Sequence, residues 1–344
     1  MHYRFEFYPY QRRFRQPLKT NHGIWEIREG IILRLIDGAG NVGWGEIAPL
    51  PWFGSETLEQ ALEFCLQLWT KITTQEIQEI PDSLPACQFG FESALESLAQ
   101  TQRGGDTRDK VDKVDKVDKV DKVDKVDKGD KVDKGDKVDL KRGRLNYSYL
   151  LPAGEEVLEV WKRIVDREKT LQFPMTFKWK IGVGEVEEEI KLFQKLIQAL
   201  PTDTKLRLDA NGGLSFEQAK RWLQVTDETP MVEFIEQPLS PQSFDRTMDL
   251  SINYSTAIAL DESVSNLKQL EDCYHKGWEG IYIIKAAIAG SPQRLRRFFQ
   301  QYSIDAVFSS VFETEIGREA VLRLAAELSN PSRAVGFGVH HWFE

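Results

Sequence analysis

Charged residues stand at nearly regular intervals in the second half of the chain, each at the end of a short apolar run and before a turn or loop. They are Lys180, Asp209, Glu236, Asp261 and Lys285. The intervals between them are 29, 27, 25 and 24 residues, the length of one strand-and-helix unit. One such charge alone is most often solvated. Five charged residues that recur once per strand-and-helix unit predict that their side chains converge on one rim of a barrel, because the carboxyl ends of parallel strands meet there.

Three of these residues are carboxylates, which provide hard oxygen ligands. Asp209, Glu236 and Asp261 suit Mg²⁺, or Mn²⁺, and leave coordination positions for substrate oxygens. Zinc fits less well, because none of the five histidines stands in an H-E-x-x-H spacing. The pattern therefore predicts a magnesium site formed by these three side chains.

Lysines accompany the carboxylates on both sides. Lys178 and Lys180 are two residues apart on one predicted strand, so their side chains share a face. Burial and mutual repulsion should lower the pKa of both, and a neutral lysine is a base. Lys285 is expected to approach from the opposite side. A base beside a metal that holds a carboxylate is the arrangement needed to remove the proton α to that carboxylate. Arg207 shares a strand face with Asp209 and is expected to pair with a carboxylate in a deeper layer.

A competing motif is Gly182-Val183-Gly184, which follows a strand and opens a helix. With Asp209 placed to reach a ribose, it resembles part of a dinucleotide-binding fingerprint. The third glycine is missing, since Glu187 occupies its position. The motif also leaves the other charged strand ends unexplained, so we favour the carboxylate site.

The elements that must position these residues alternate between short apolar strands and amphipathic helices. The predicted strands are Asn146–Leu151, Met175–Ile181, Lys205–Asp209, Val232–Glu236, Thr256–Asp261, Gly280–Lys285 and Asp305–Ser309. Helical patterns between them include Val186–Leu200 and Phe216–Val225. This repetition indicates a parallel sheet, open or closed.

The first hundred residues have a different pattern. Predicted strands cover Tyr3–Phe7, Gly30–Ile36 and Val42–Ile47. Asp37-Gly38 is a strong hairpin signal between the last two. Helices are expected from Thr57, which forms a capping box with Gln60, and over Phe89–Gln100. We predict an antiparallel sheet covered by helices.

Asp109–Asp139 consists only of Asp, Lys, Val and Gly, with a period of three. This period matches neither a helix nor a strand, so no apolar face can form. We expect a solvated, disordered insertion.

Composition limits the partners. The chain has 344 residues with 45 basic and 54 acidic side chains, a net charge of −9, which disfavours nucleic acid and anionic membranes. The three cysteines are far apart, and the start of the chain lacks the apolar run of a signal peptide. We expect a cytoplasmic protein whose partner is a small-molecule carboxylate. The oligomeric state stays open.

Together these motifs resemble the enolase superfamily over nearly the whole chain outside the insertion. Lys178-Trp179-Lys180 is similar to its K-x-K strand, the three carboxylates to its metal ligands, and Lys285 to the lysine opposite. Further motifs are similar to those of the o-succinylbenzoate synthase family. They are Gly43–Pro51 followed by Glu56-Thr57, Leu206–Asn211, Asp261-Glu262-Ser263, and Ser309-Ser310 ahead of Glu313-Thr314.

The resemblance implies an α/β fold, a modified (β/α)7β TIM-type barrel with an α+β capping domain. The expected division is a cap over 1–100, completed by 325–344, an insertion over 101–144 and a barrel over 145–324. Within the last segment, Gly336–Phe343 is expected to return to the cap or to close the base of the barrel.

The implied activity is the Mg²⁺-dependent syn elimination of water from 2-succinyl-6-hydroxy-2,4-cyclohexadiene-1-carboxylate, giving o-succinylbenzoate for menaquinone or phylloquinone synthesis. Lys180 would take the α-proton and protonate the departing hydroxyl, while Lys285 would stay cationic and stabilise the enediolate. A racemase of N-acylamino acids or an epimerase of dipeptides would use the same five residues. A barrel that binds a partner without turnover is the third alternative.

Four residues are expected to bind substrate: Lys178, Asn211, Ser309 and Ser310. Asn211 would act near the metal, and one of the two serines at the succinyl end. The cap loops Thr20–Gly23 and Leu50–Ser55 would close over the substrate. Trp52 and Phe53 would exclude water or pack between the domains.

Overall fold

The computed structural model describes residues 1–20, 23–68, 70–102, 145–167, 175–339 and 343. The Asp-Lys-Val segment and the centre of the predicted cap loop Thr20–Gly23 lie outside these residues. No helix in the described part of the chain combines the length and apolar character needed to cross a bilayer.

The N-terminal region forms an antiparallel sheet. Its strands are β1 (His2–Thr20), β2 (Gly23–Ile36), β3 (Val42–Ile47) and β4 (Lys71–Thr73), in the order β3-β2-β1-β4. The Asp37 carboxylate closes the turn between β2 and β3 by accepting hydrogen bonds from the backbone N–H of Ala39 at 2.9 Å and of Asn41 at 2.8 Å. The predicted hairpin is confirmed.

Helices cover one face of this sheet. They are α1 (Leu58–Gln67), α2 (Thr74–Gln78) and α3 (Pro85–Gln102). The predicted capping box between Thr57 and Gln60 is present at the start of α1. Helix α3 approaches β3 so closely that a Cβ on Gly45 would lie 2.1 Å from the carbonyl oxygen of Gly90. Glycine in the G-W-G motif is therefore required for sheet–helix contact.

The second region is a parallel barrel in which strands and helices alternate. The elements are β5 (Tyr147–Leu151), α4 (Val157–Arg167), β6 (Thr176–Lys180), α5 (Val186–Ala199), β7 (Lys205–Asp209), α6 (Phe216–Asp227), β8 (Val232–Glu236), α7 (Phe244–Asn253), β9 (Ile258–Leu260), α8 (Leu267–His275), β10 (Ile281–Ile284), α9 (Ala286–Ala289), α10 (Pro292–Gln301), β11 (Asp305–Phe308), α11 (Glu315–Leu328) and β12 (Val335–Gly338). The strand order is β11-β10-β9-β8-β7-β6-β5-β12. A parallel bridge between Ser309 and Gly336 joins the two edge strands, so the sheet nearly closes. The predicted (β/α)7β barrel with an α+β cap is confirmed.

The C-terminal segment differs from the predicted division. Helix α11 runs past residue 324 and β12 is the eighth barrel strand, so the boundary at 324 is too early. Beyond the barrel, Phe343 forms an antiparallel bridge with Phe14 of the cap. The segment therefore both completes the barrel and returns to the cap. Its sequence did not reveal the strand, because glycine occupies two of its four positions.

Side chains of β6 alternate between two environments. Trp179 is fully buried and its ring lies 6.3 Å from that of Trp222 on α6, in the layer between strands and helices. Lys178 and Lys180 point the other way, into the barrel. Deeper in the barrel, Arg207 pairs with Glu233 at 2.6 Å, as expected from its strand face.

Candidate active site

The charged strand ends meet on one rim of the barrel. The strand register aligns Lys180 with Asp209 and Asp209 with Glu236. The ammonium nitrogen Nζ of Lys178 lies 2.8 Å from Asp209 Oδ2 and 2.6 Å from Glu236 Oε1. The Asp209 and Glu236 side chains are only 10% and 2% exposed, so these charges lie out of bulk water.

Lys285 contacts the third carboxylate from the other side of the barrel. Its ammonium group donates to both carboxylate oxygens of Asp261. It also lies 3.8 Å from the ring centroid of Phe53, a residue of the cap. A cation over an aromatic face is stabilised by the ring's electrons. The cap therefore reaches Lys285, the lysine predicted to lie opposite Lys180.

Burial and mutual repulsion act strongly on the carboxylates. Burial, together with the charge of Asp209, raises the pKa of Glu236 to about 8. Burial also raises the pKa of Asp261, to about 6, although Lys285 partly offsets it. For Asp209 burial acts in the same direction, but Lys178, Lys285 and Lys180 outweigh it and the pKa is lowered. A dication bound to these oxygens would favour the ionised form of all three carboxylates.

The two lysines of β6 differ in the direction in which their pKa is shifted. Burial lowers the pKa of Lys180, and the charge of Lys178 adds to this effect, against the opposing carboxylates of Asp209 and Glu262. For Lys178 burial also lowers the pKa, but the carboxylates in contact with it outweigh burial and the pKa is raised. The expectation of a lowered pKa is therefore wrong for Lys178. Its ammonium is an ion-pair partner and Lys180 is the better base.

The donor set fits a magnesium ion. Asp209, Glu236 and Asp261 present hard oxygens, and a carboxylate that binds one ammonium keeps further lone pairs. Next to Asp261, the Oε2 oxygen of Glu262 is buried without a hydrogen-bond partner among the described residues. Across the described ranges, no three His, Cys, Asp or Glu side chains form a ready-made metal cage. The ammonium group of Lys178 lies between Asp209 and Glu236, and the ammonium group of Lys285 lies against Asp261.

Asn211 lies at the same rim. Its backbone N–H donates to Asp209 Oδ1 at 3.1 Å, and its side-chain nitrogen donates to Glu262 Oε1 at 3.2 Å. Burial raises the pKa of Glu262, with the charges of Asp209 and Glu236 adding to the effect. Glu262 was not among the predicted site residues. The only available signal was its position beside Asp261.

Ser309 and Ser310 lie at the junction of β11 and β12. The Ser310 hydroxyl bonds to the Glu313 carboxylate at 2.9 and 3.0 Å and accepts the N–H of Phe312 at 2.9 Å. The hydroxyl proton of Ser310 is therefore donated within its own loop, which argues for a structural role of Ser310. Ser309 is half-buried, and its backbone N–H bonds to the carbonyl of Ile284 at 3.0 Å.

The glycine turn after Lys180 is occupied by a carboxylate of the chain itself. Glu189 accepts backbone N–H groups from Gly182 at 2.8 Å, Val183 at 2.9 Å and Gly184 at 3.0 Å. Such a group of N–H donors is an anion-binding nest. Because Glu189 fills it, the turn fixes the chain beside Lys180 and does not bind a phosphate.

The second cap loop reaches the site as expected. Residues Pro51–Phe53 form a 3-10 turn, with Phe53 against Lys285. The ring of Trp52 lies 4.9 Å from that of Trp25, and Trp52 remains 38% exposed. Trp52 thus packs within the cap, and Phe53 is the residue that contacts the site.

Family models match both regions. Residues 161–344 match the family described as Enolase C-terminal domain-like, and residues 3–98 match MenC, N-terminal domain. Together they cover nearly all of the cap and the barrel from residue 161 onward.

Known proteins with these features are similar along almost the whole chain. The o-succinylbenzoate synthase of Thermosynechococcus vestitus is 36% identical, over 97% of this chain and 91% of that protein. The enzyme of the same name from Haemophilus influenzae is 25% identical over 87% of this chain and 79% of that protein.

Solved structures are similar to this chain along almost its whole length. The o-succinylbenzoate synthase of Thermosynechococcus elongatus, complexed with Mg in the active site, superposes with a TM-score of 0.80 at 35% identity, covering 99% of this chain and 94% of that one. The L-Ala-D/L-Glu epimerase of Bacillus subtilis has a TM-score of 0.72 at 19% identity, covering 99% and 90%, and shares the fold.

Proposed function

Because this chain belongs to the o-succinylbenzoate synthase family of the enolase superfamily, we propose that it converts 2-succinyl-6-hydroxy-2,4-cyclohexadiene-1-carboxylate to o-succinylbenzoate by syn elimination of water. The product serves menaquinone or phylloquinone synthesis. The observation that carries the proposal is the rim itself, where Lys180 is aligned with Asp209 and Lys285 contacts Asp261, on either side of three buried carboxylates.

Lys180 is the base and the acid. Its lowered pKa favours the neutral amine that accepts a proton. It takes the proton from the ring carbon that bears the carboxylate, and the electron pair of that C–H bond moves onto the carboxylate. The pair then returns to form the new ring double bond as the neighbouring C–O bond breaks. The resulting lysine ammonium returns its proton to the departing hydroxyl, which leaves as water. One group suffices because the C–H bond and the C–O bond that break lie on the same face of the ring.

Lys285 acts through its charge. Its ammonium is held by Asp261 and by the ring of Phe53, so its position is fixed before substrate binds. A preorganised cation in a buried site stabilises the negative charge that develops on the substrate carboxylate. Phe53 and its loop exclude water from that side.

Asp209, Glu236 and Asp261 would hold the magnesium ion, and Mn²⁺ would fit the same oxygens. When bound, the ion supplies Lewis-acid stabilisation of the substrate carboxylate. Lys178 positions Asp209 and Glu236 through its two ion pairs, and Asn211 positions Asp209. Ser309 remains the proposed contact for the succinyl end.

We also propose that the protein works in the cytoplasm. Its cysteines, Cys65, Cys87 and Cys273, are buried free thiols. Free thiols are typical of reducing compartments.

The test is a pair of assays on the purified protein with Mg²⁺. Incubation with the cyclohexadiene carboxylate should produce the aromatic absorbance of o-succinylbenzoate. Incubation with an N-succinyl amino acid tests racemisation. Racemisation without any dehydration would contradict the proposal and favour the racemase alternative.

A further inference from the structure

Gln237 lies at the centre of the carboxylate rim, directly after Glu236. It is completely buried. Its backbone adopts φ +40°, a left-handed conformation that is uncommon outside glycine. Such strain persists only where the surroundings hold it, and it concentrates at functional sites. Asn211, two residues after Asp209, has φ +45° at the same rim.

The side chain of Gln237 binds the loop that carries Asp261. Its carbonyl oxygen Oε1 accepts the backbone N–H of Asp261 at 2.9 Å and that of Ser263 at 3.1 Å. Its Nε2 donates to the hydroxyl of Ser263 at 2.8 Å and to the carbonyl of Leu239 at 2.8 Å. Both donors and both acceptor positions of the amide are therefore used.

The backbone of Gln237 binds the strands on either side. Its N–H donates to the carbonyl of Ala259 on β9 at 2.7 Å, and its carbonyl accepts the N–H of Gly212 at 2.7 Å. Gly212 lies in the turn that follows Asp209. One residue therefore joins the segments at the carboxyl ends of β7, β8 and β9, where Asp209, Glu236 and Asp261 lie.

We propose that Gln237 is a positioning residue that sets the mutual placement of Asp209, Glu236 and Asp261 and thereby the affinity for Mg²⁺. The inference rests on the proposed function, which assigns those carboxylates to the metal. Without the amide, the buried N–H of Asp261 loses its acceptor and its loop is free to shift. Groups that orient metal ligands contribute 10-fold to 100-fold to metal affinity.

The test is calorimetric titration of the apoprotein with Mg²⁺, which requires no turnover. Gln237→Ala should weaken Mg²⁺ binding by at least about 10-fold. Ser263→Ala removes only one partner of the amide and should weaken binding by about threefold, a smaller effect of the same sign that remains measurable if Gln237→Ala does not fold. Thermal unfolding of each variant gives its stability.

Gln88 provides a matched control. It is also a buried glutamine, and its Nε2 donates to the carbonyl of Ile80 at 2.7 Å and to Asp82 at 3.0 Å, within the cap. Gln88→Ala should lower the melting temperature and leave Mg²⁺ affinity unchanged. If the wild type, Gln237→Ala and Ser263→Ala bind Mg²⁺ with equal affinity, the inference about Gln237 is wrong and the proposed function is unaffected. Absence of Mg²⁺ binding by the wild type would overturn the proposed function as well.

Discussion

Glu46 of the cap should contribute strongly to stability and substrate binding, because it is the buried acceptor that joins the cap to the barrel. Its carboxylate accepts the backbone N–H of Thr314 at 2.9 Å and that of Gly317 at 2.9 Å. The hydroxyls of Thr314 and Tyr10 also donate to it. Glu46 is completely buried and thus caps the first turn of α11 from another domain.

Glu46→Gln keeps the shape but turns one acceptor oxygen into a donor. At least two of the four donors then lose a charged acceptor, at about 1.5–2 kcal/mol each, so the free energy of unfolding should fall by about 3–4 kcal/mol. For a domain of this size that corresponds to a decrease in melting temperature of roughly 10 °C. Helix α11 follows the loop of Ser309 and Ser310, so KM should also rise, by about fivefold for a loss of about 1 kcal/mol in substrate binding.

The assay combines thermal unfolding by circular dichroism with steady-state kinetics. Glu56 is the control, since it is another buried carboxylate that accepts helix N–H groups, from Ala86 at 3.0 Å and Cys87 at 2.7 Å, but entirely within the cap. Glu56→Gln should lower the melting temperature with KM unchanged. A Glu46→Gln protein that melts within about 2 °C of the wild type would refute the reasoning, as would an unchanged KM.

Three further outcomes are expected. EDTA should abolish activity and Mg²⁺ or Mn²⁺ restore it, while Glu236→Gln should weaken metal binding without unfolding the barrel, as calorimetry and circular dichroism would show; full activity in chelator would remove the metal assignment. Replacing Asp109–Asp139 with a short Gly/Ser linker should change kcat/KM by less than about threefold, because the sequence offers no apolar face and loop closure depends weakly on length; loss of activity or solubility would show that the segment packs or recruits a partner. Glu189→Ala should lower kcat by about 10-fold with KM unchanged, since it releases the turn beside Lys180; a decrease no larger than that of the neighbouring exposed Glu188→Ala would contradict this role.

Much of the rim was predictable from the sequence, because strand periodicity places every charged strand end on the same side of a parallel sheet. The strand register aligns Lys180 with Asp209 and Asp209 with Glu236, as their spacing in the sequence indicated. The Arg207–Glu233 pair followed from the alternation of side chains along a strand.

Features that depend on contacts between distant segments were not predictable. The pKa of Lys178 is raised because carboxylates from two other strands outweigh burial, and the sequence does not show that these carboxylates contact Lys178. The contact between Glu46 and Thr314 spans 268 residues. Gln237 gave no signal, because a single amide has no periodicity and its left-handed conformation is set by tertiary contacts.

The assignment of Lys180 as the group that moves both protons is tested most directly by the single-turnover rate of dehydration in Lys180→Ala. The lysine removes the α-proton and protonates the leaving hydroxyl, so its loss should slow the chemical step by at least about 10³-fold. Lys285→Arg, which keeps a cation, should retain part of the activity. Lys180→Ala should also fail to exchange the α-proton with deuterated solvent, as followed by NMR. Dehydration by Lys180→Ala at a rate near that of the wild type would contradict the mechanism.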